Sequence, residues 1–145
     1  MCRRRWLAGL AAVGIAVGIG IPGWAEPPQG RPAPLFKARD VQDREVDLTQ
    51  LLQQEPDLLI LFFFSLDRGQ AEASKLKEIH GIHGQVVGIG LRDSEDALKQ
   101  FADAYNVRYP ILREPPEAGQ YGPFAVLPMT FFISRDAVVL DVLHG

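Results

Sequence analysis

The sequence predicts one α/β domain: a central mixed sheet flanked by helices and ending in an antiparallel hairpin. Three observations carry this reading. Leu58 to Phe64 and Gln85 to Leu91 are apolar runs of strand length without polar alternation, as in strands buried on both faces. Each is followed by a stretch with helical spacing, and strand, helix, strand, helix in succession implies parallel pairing with right-handed crossovers. Met129 to Ser134 and Val138 to Val142 are joined only through Ser134-Arg135-Asp136-Ala137, which fits a hairpin.

At 145 residues, 47% hydrophobic and 23% charged, the chain is long enough for one core and too short for two. Its net charge of −3 has Lys and Arg scattered among acids, which excludes the electrostatic footprint of nucleic-acid binding.

Residues 1–25 read as an export signal: basic Arg3-Arg4-Arg5, an apolar run from Trp6 to Ile21, a Pro22-Gly23 breaker, and small residues at Gly23 and Ala25 for cleavage. The alternative is an uncleaved anchor, the only route by which the membrane enters. Arg4-Arg5-Trp6-Leu7 also resembles a twin-arginine export signal. Cleavage removes three of the 15 basic residues and none of the 18 acids, taking the net charge from −3 to −6. Cys2, the single cysteine, lies before the apolar run, so a mature exported domain has no thiol.

Residues 26–34 are Pro-rich, lack apolar periodicity and are expected to be an unpacked linker, leaving 35–145 as the folded domain. After the first strand, Ala73, Leu76, Ile79 and Ile82 mark one face of a helix spanning Ala71 to Ile82. After the second, Asp93 or Ser94 caps a helix with apolar positions at Leu98, Phe101, Ala102 and Tyr105. Tyr109 to Leu112 is a short extended piece, and Pro115 to Tyr121 a loop or short helix.

These elements, with Ala33-Pro34-Leu35-Phe36, Val46-Asp47-Leu48, Val87-Gly88-Ile89-Gly90, Tyr109-Pro110-Ile111-Leu112 and Leu127-Pro128-Met129-Thr130-Phe131-Phe132-Ile133, resemble the exported thioredoxin-like thiol-disulfide oxidoreductases of the TlpA and ResA type, relatives of the peroxiredoxins. The resemblance implies a thioredoxin-like fold and a cis bond before Pro128 beside the active site. It also implies a further helix after the last strand, which this sequence, ending at Gly145, does not reach. Aligning Phe62-Phe63-Phe64 and Glu72 with that family sets Leu66-Asp67-Arg68-Gly69 on its Cys-x-x-Cys motif. Leu66 and Gly69 stand at the two cysteine positions.

Disulfide exchange needs a thiolate and a resolving thiol, and peroxidase chemistry passes through a cysteine sulfenic acid. The expectation is therefore no catalytic residue and no cofactor. It is a redox-inactive binding or chaperone-like module of the cell envelope, taking an envelope protein or peptide segment. Its groove is expected to be formed by Leu66, Asp67, Arg68, Gly69, Glu72, Leu127, Pro128, Met129 and Thr130, with Phe124 and Met129 at its apolar border. The family's own thiol-disulfide oxidoreductase activity is the alternative. A third reading is a metallochaperone for copper or zinc using His80 and His83, three residues apart at a helix end. Two histidines alone make a weak site, and histidines near a helix C-terminus are also simply favourable to the helix dipole.

Overall fold

The computed structural model describes residues 29–145. The readings of 1–25 as an export signal, of Cys2, and of 26–28 as linker fall outside the described residues. The strands are β1 (Lys37–Arg39), β2 (Glu45–Asp47), β3 (Leu58–Phe64), β4 (Gln85–Gly90), β5 (Ile111–Arg113), β6 (Met129–Ser134) and β7 (Val139–His144). The helices are α1 (Leu48–Leu51), α2 (Gln70–Lys75) and α3 (Glu95–Ala104), with 3-10 turns at Leu76–Glu78 and Pro116–Tyr121.

Five strands form one sheet in the order β5-β4-β3-β6-β7, and β1 and β2 make a separate antiparallel pair. β3 pairs parallel with β4 and antiparallel with β6, β4 pairs parallel with β5, and β6 and β7 form the expected hairpin. The unbroken apolar run of β3 follows from its central place. Leu59, Leu61 and Phe63 enter a core cluster with Leu48, Tyr121 and Phe131 on one face of the sheet. Ile60, Phe62 and Phe64 enter a second cluster with Ala73, Leu98, Phe101 and Tyr109 on the other. Burying each of the Leu, Ile and Phe side chains among these contributes about 1.5–3 kcal/mol.

Three local expectations change. The helix after β3 ends early: α2 stops at Lys75, one 3-10 turn follows, and Gly81 at φ 82° breaks the chain direction. The spacing of three through Ala73, Leu76 and Ile79 is the period of a 3-10 turn, and Ile82, beyond the break, is 68% exposed. Tyr105 sits at the end of α3 and is exposed, its ring resting on Phe101 at 5.2 Å between centroids.

The stretch 29–34 is no free linker. Gly30 N–H donates to Val139 O (2.7 Å), Val139 N–H to Arg31 O (2.9 Å), and Ala33 N–H to Ala137 O (2.8 Å). Ala33 is buried in the first core cluster, and the Tyr121 hydroxyl donates to Pro34 O. These residues form a strap on β7, because backbone groups beside an open sheet edge find partners there.

Candidate functional site

The site forms where β3 leaves the sheet. Phe64 is the last strand residue and is fully buried, and the chain then closes a tight turn. Ser65 N–H donates to Arg68 O (3.1 Å), and Arg68 N–H returns to Ser65 O (3.0 Å) and to Ser65 Oγ (3.1 Å). Leu66 is half-buried against the second core cluster, while Asp67 and Arg68 at the turn's tip are exposed. Neither Asp67 nor Arg68 makes an ion pair among the described residues. Glu72 is exposed in the first turn of α2.

Gly69 precedes α2 with φ 112°, a region open to glycine and strained for a residue with a β-carbon. A β-carbon there would lie 2.9 Å from Pro128 Cβ and 3.0 Å from Phe64 Cβ. The turn and the Leu127-Pro128 loop therefore abut, as the sequence alignment required. Register repeats this neighbourhood: Phe62 pairs with Thr130 and Phe63 with Met129 across β3 and β6.

The bond between Leu127 and Pro128 is cis, as the family resemblance implied. Pro128 and Thr130 are half-buried and Leu127 is buried. Pro128 O accepts from Gly145 N–H at 2.7 Å, and the Leu127 backbone makes no hydrogen bond within the described residues. Met129 departs from expectation: it is 1% exposed and faces the first core cluster, so its side chain cannot border a groove. Strand alternation explains this, because Met129, Phe131 and Ile133 share the core face of β6. Val126, 48% exposed, is the accessible apolar side chain nearby. Phe124 is half-buried, stacked on Phe63 with centroids 4.6 Å apart.

The chemistry available is narrow. Residues 29–145 contain no cysteine. Ser65 is 2% exposed and its Oγ is already an acceptor within the turn, so it is no substitute nucleophile. His80 is half-buried, and its Nδ1 accepts from Val86 N–H at 3.0 Å. Burial holds its pKa below the ordinary value, and the ring packs near Tyr109. His83 is exposed beyond the end of α2, so the two imidazoles do not share a helical face as the metal reading required. Among the described residues no group of three or more His, Cys, Asp or Glu is placed to hold a metal ion.

One contact escaped the sequence reading. Asp93 Oδ2 accepts the Leu66 N–H at 2.8 Å, across 27 positions of sequence. The available signal was the pair Asp93-Ser94, two capping residue types where α3 needs one.

The fold and turn define a thioredoxin-like protein whose redox position holds no thiol. The chain belongs to the AhpC/TSA family, which matches residues 29–142. Among solved structures it is similar to a thiol:disulfide interchange protein of the thioredoxin family from Chlorobium tepidum TLS. The TM-score is 0.67 at 19% identity, covering 81% of this chain and 88% of that one. It is also similar to peroxidoxin BcpB from Mycobacterium tuberculosis, with a TM-score of 0.67 at 22% identity, covering 82% and 86%. A secreted thiol-disulfide isomerase from Corynebacterium glutamicum gives 0.65 at 22% identity, covering 77% and 74%. No curated protein matches the chain. Among the described residues no helix is long and apolar enough to cross a membrane.

Proposed function

We propose that this protein is a redox-inactive binding or chaperone-like module of the cell envelope, which holds an extended peptide segment of an envelope protein beside Pro128. Gly69 carries the reading. The second thiol position has lost its cysteine, and its backbone also takes a conformation and an approach to Pro128 that leave no room for a β-carbon. The surface that remains has the half-buried Pro128 and the exposed Val126, Asp67, Arg68 and Glu72, beside a Leu127 backbone that makes no hydrogen bond among the described residues. Unpaired backbone beside an apolar side chain suits addition of an extended strand. Location in the envelope is supported by the export-signal pattern of residues 1–25 and by the secreted relative named above.

The test has two arms on the Cys2→Ser chain. Purified protein is expected not to accelerate the reduction of a disulfide substrate by dithiol above the rate without protein. A photo-crosslinking residue at Val126 is expected to capture envelope proteins in the cell, with capture competed away by an added extended peptide. Disulfide turnover, or capture insensitive to peptide, would overturn the reading.

A further inference from the structure

We propose that Asp93 is the positioning residue of the Leu66 to Gly69 turn, setting the wall of the groove that faces a bound segment; the inference rests on the binding reading above. Asp93 lies three residues beyond β4 and directly before Ser94. The Ser94 Oγ accepts from Ala97 N–H at 3.1 Å and so caps α3 alone. Asp93 is thereby left free of the helix, and its Oδ2 reaches the Leu66 N–H at 2.8 Å.

The turn explains what this bond does. Ser65 and Arg68 satisfy each other's backbone N–H groups, whereas Leu66 N–H has no partner inside the turn. With no disulfide between positions 66 and 69, the geometry of the turn rests on hydrogen bonds: Gly69 O accepts from Ala73 N–H of α2 at 2.8 Å, and the Asp93 carboxylate ties the Leu66 end to the segment that follows β4. A bond from an amide to a carboxylate is about twice as strong as a neutral one. It keeps Leu66 against the second core cluster and presents Asp67 and Arg68 at the surface in one arrangement. A segment binding beside Pro128 then meets a wall already ordered, and avoids the ordering cost a loose loop would impose.

The experiment measures hydrogen exchange at the Leu66 amide and capture from Val126 in the Cys2→Ser chain, alone and with Asp93→Ala or Asp93→Asn. Asp93→Ala is expected to accelerate Leu66 exchange roughly 30-fold while the β3 and β6 amides stay protected, and to reduce capture. Asp93→Asn keeps an acceptor in place and is expected to restore most of both. Unchanged Leu66 exchange in Asp93→Ala overturns the proposal, as does faster exchange with undiminished capture. If the unaltered chain captures nothing while Leu66 exchange responds to Asp93, the binding reading falls and takes the positioning role with it, leaving a tether.

Discussion

Returning the family residue to position 69 should damage this protein rather than repair it. Gly69→Cys places a β-carbon at φ 112°, a conformation costing about 1–3 kcal/mol for a non-glycine residue. That carbon would also stand 2.9 Å from Pro128 Cβ and 3.0 Å from Phe64 Cβ. Neither neighbour yields easily: one belongs to a proline ring, the other to a fully buried residue of the central strand. Relieving such contacts adds about 1–3 kcal/mol. The sum, about 2–6 kcal/mol, is a large part of the roughly 5–15 kcal/mol that holds a domain folded. Urea unfolding followed by circular dichroism should show the midpoint falling by about 1–3 M at unchanged slope. Gly69→Ala should behave alike, while Leu66→Cys, at a half-buried position, should cost about 1 kcal/mol. A Gly69→Cys protein within about 0.5 kcal/mol of its parent, closing a disulfide with a cysteine introduced at 66, would refute the argument.

The folded-state pKa of His80 lies below its ordinary 6.5, so the unfolded chain binds the proton first; stability should decline as pH falls through 6.5, with a slope no steeper than about 1.4 kcal/mol per unit. Thermal melts across that range should show His80→Gln removing this dependence. Ser94→Ala should destabilise the protein by about 1 kcal/mol through loss of the α3 cap, read by chemical denaturation. Tyr121→Phe leaves the Pro34 carbonyl without its hydroxyl partner and should cost about 1–3 kcal/mol, with faster limited proteolysis ahead of Phe36.

The central strands were legible because their patterns have one physical solution: β3 and β6 span the residues that their apolar runs indicated. The abutment of position 69 with Pro128 was also legible, through the family alignment. What escaped depended on backbone conformation or on contacts distant in sequence. The end of α2 at Lys75 turned on a switch to a 3-10 turn over Leu76–Glu78, and the positive φ of Gly81 then stopped the element short of Ile82; the apolar spacing showed neither. The burial of Met129 follows from strand phase, yet proximity to Pro128 drew attention to it as a groove residue. The strap at 30–33 lies in a Pro-rich stretch with no periodicity, because residues that pair backbone to backbone need no side-chain pattern. The Asp93 tether spans 27 residues, a distance at which local reasoning offers two capping candidates and no reason to separate them.

The strap also bears on how the protein behaves when crowded. Val139-Leu140-Asp141-Val142-Leu143 is a short, β-prone, weakly charged segment on the last strand of the sheet, the kind of sequence that templates stacking between copies. Two devices blunt it: the strap occupies the N–H and C=O of Val139, and the Asp141 carboxylate takes the Val142 N–H at 2.8 Å. A protease cut after Ala33 would strip the first device and leave one carboxylate as gatekeeper. The durability of the protein in the presence of proteases then depends on a few residues that contribute little to its core.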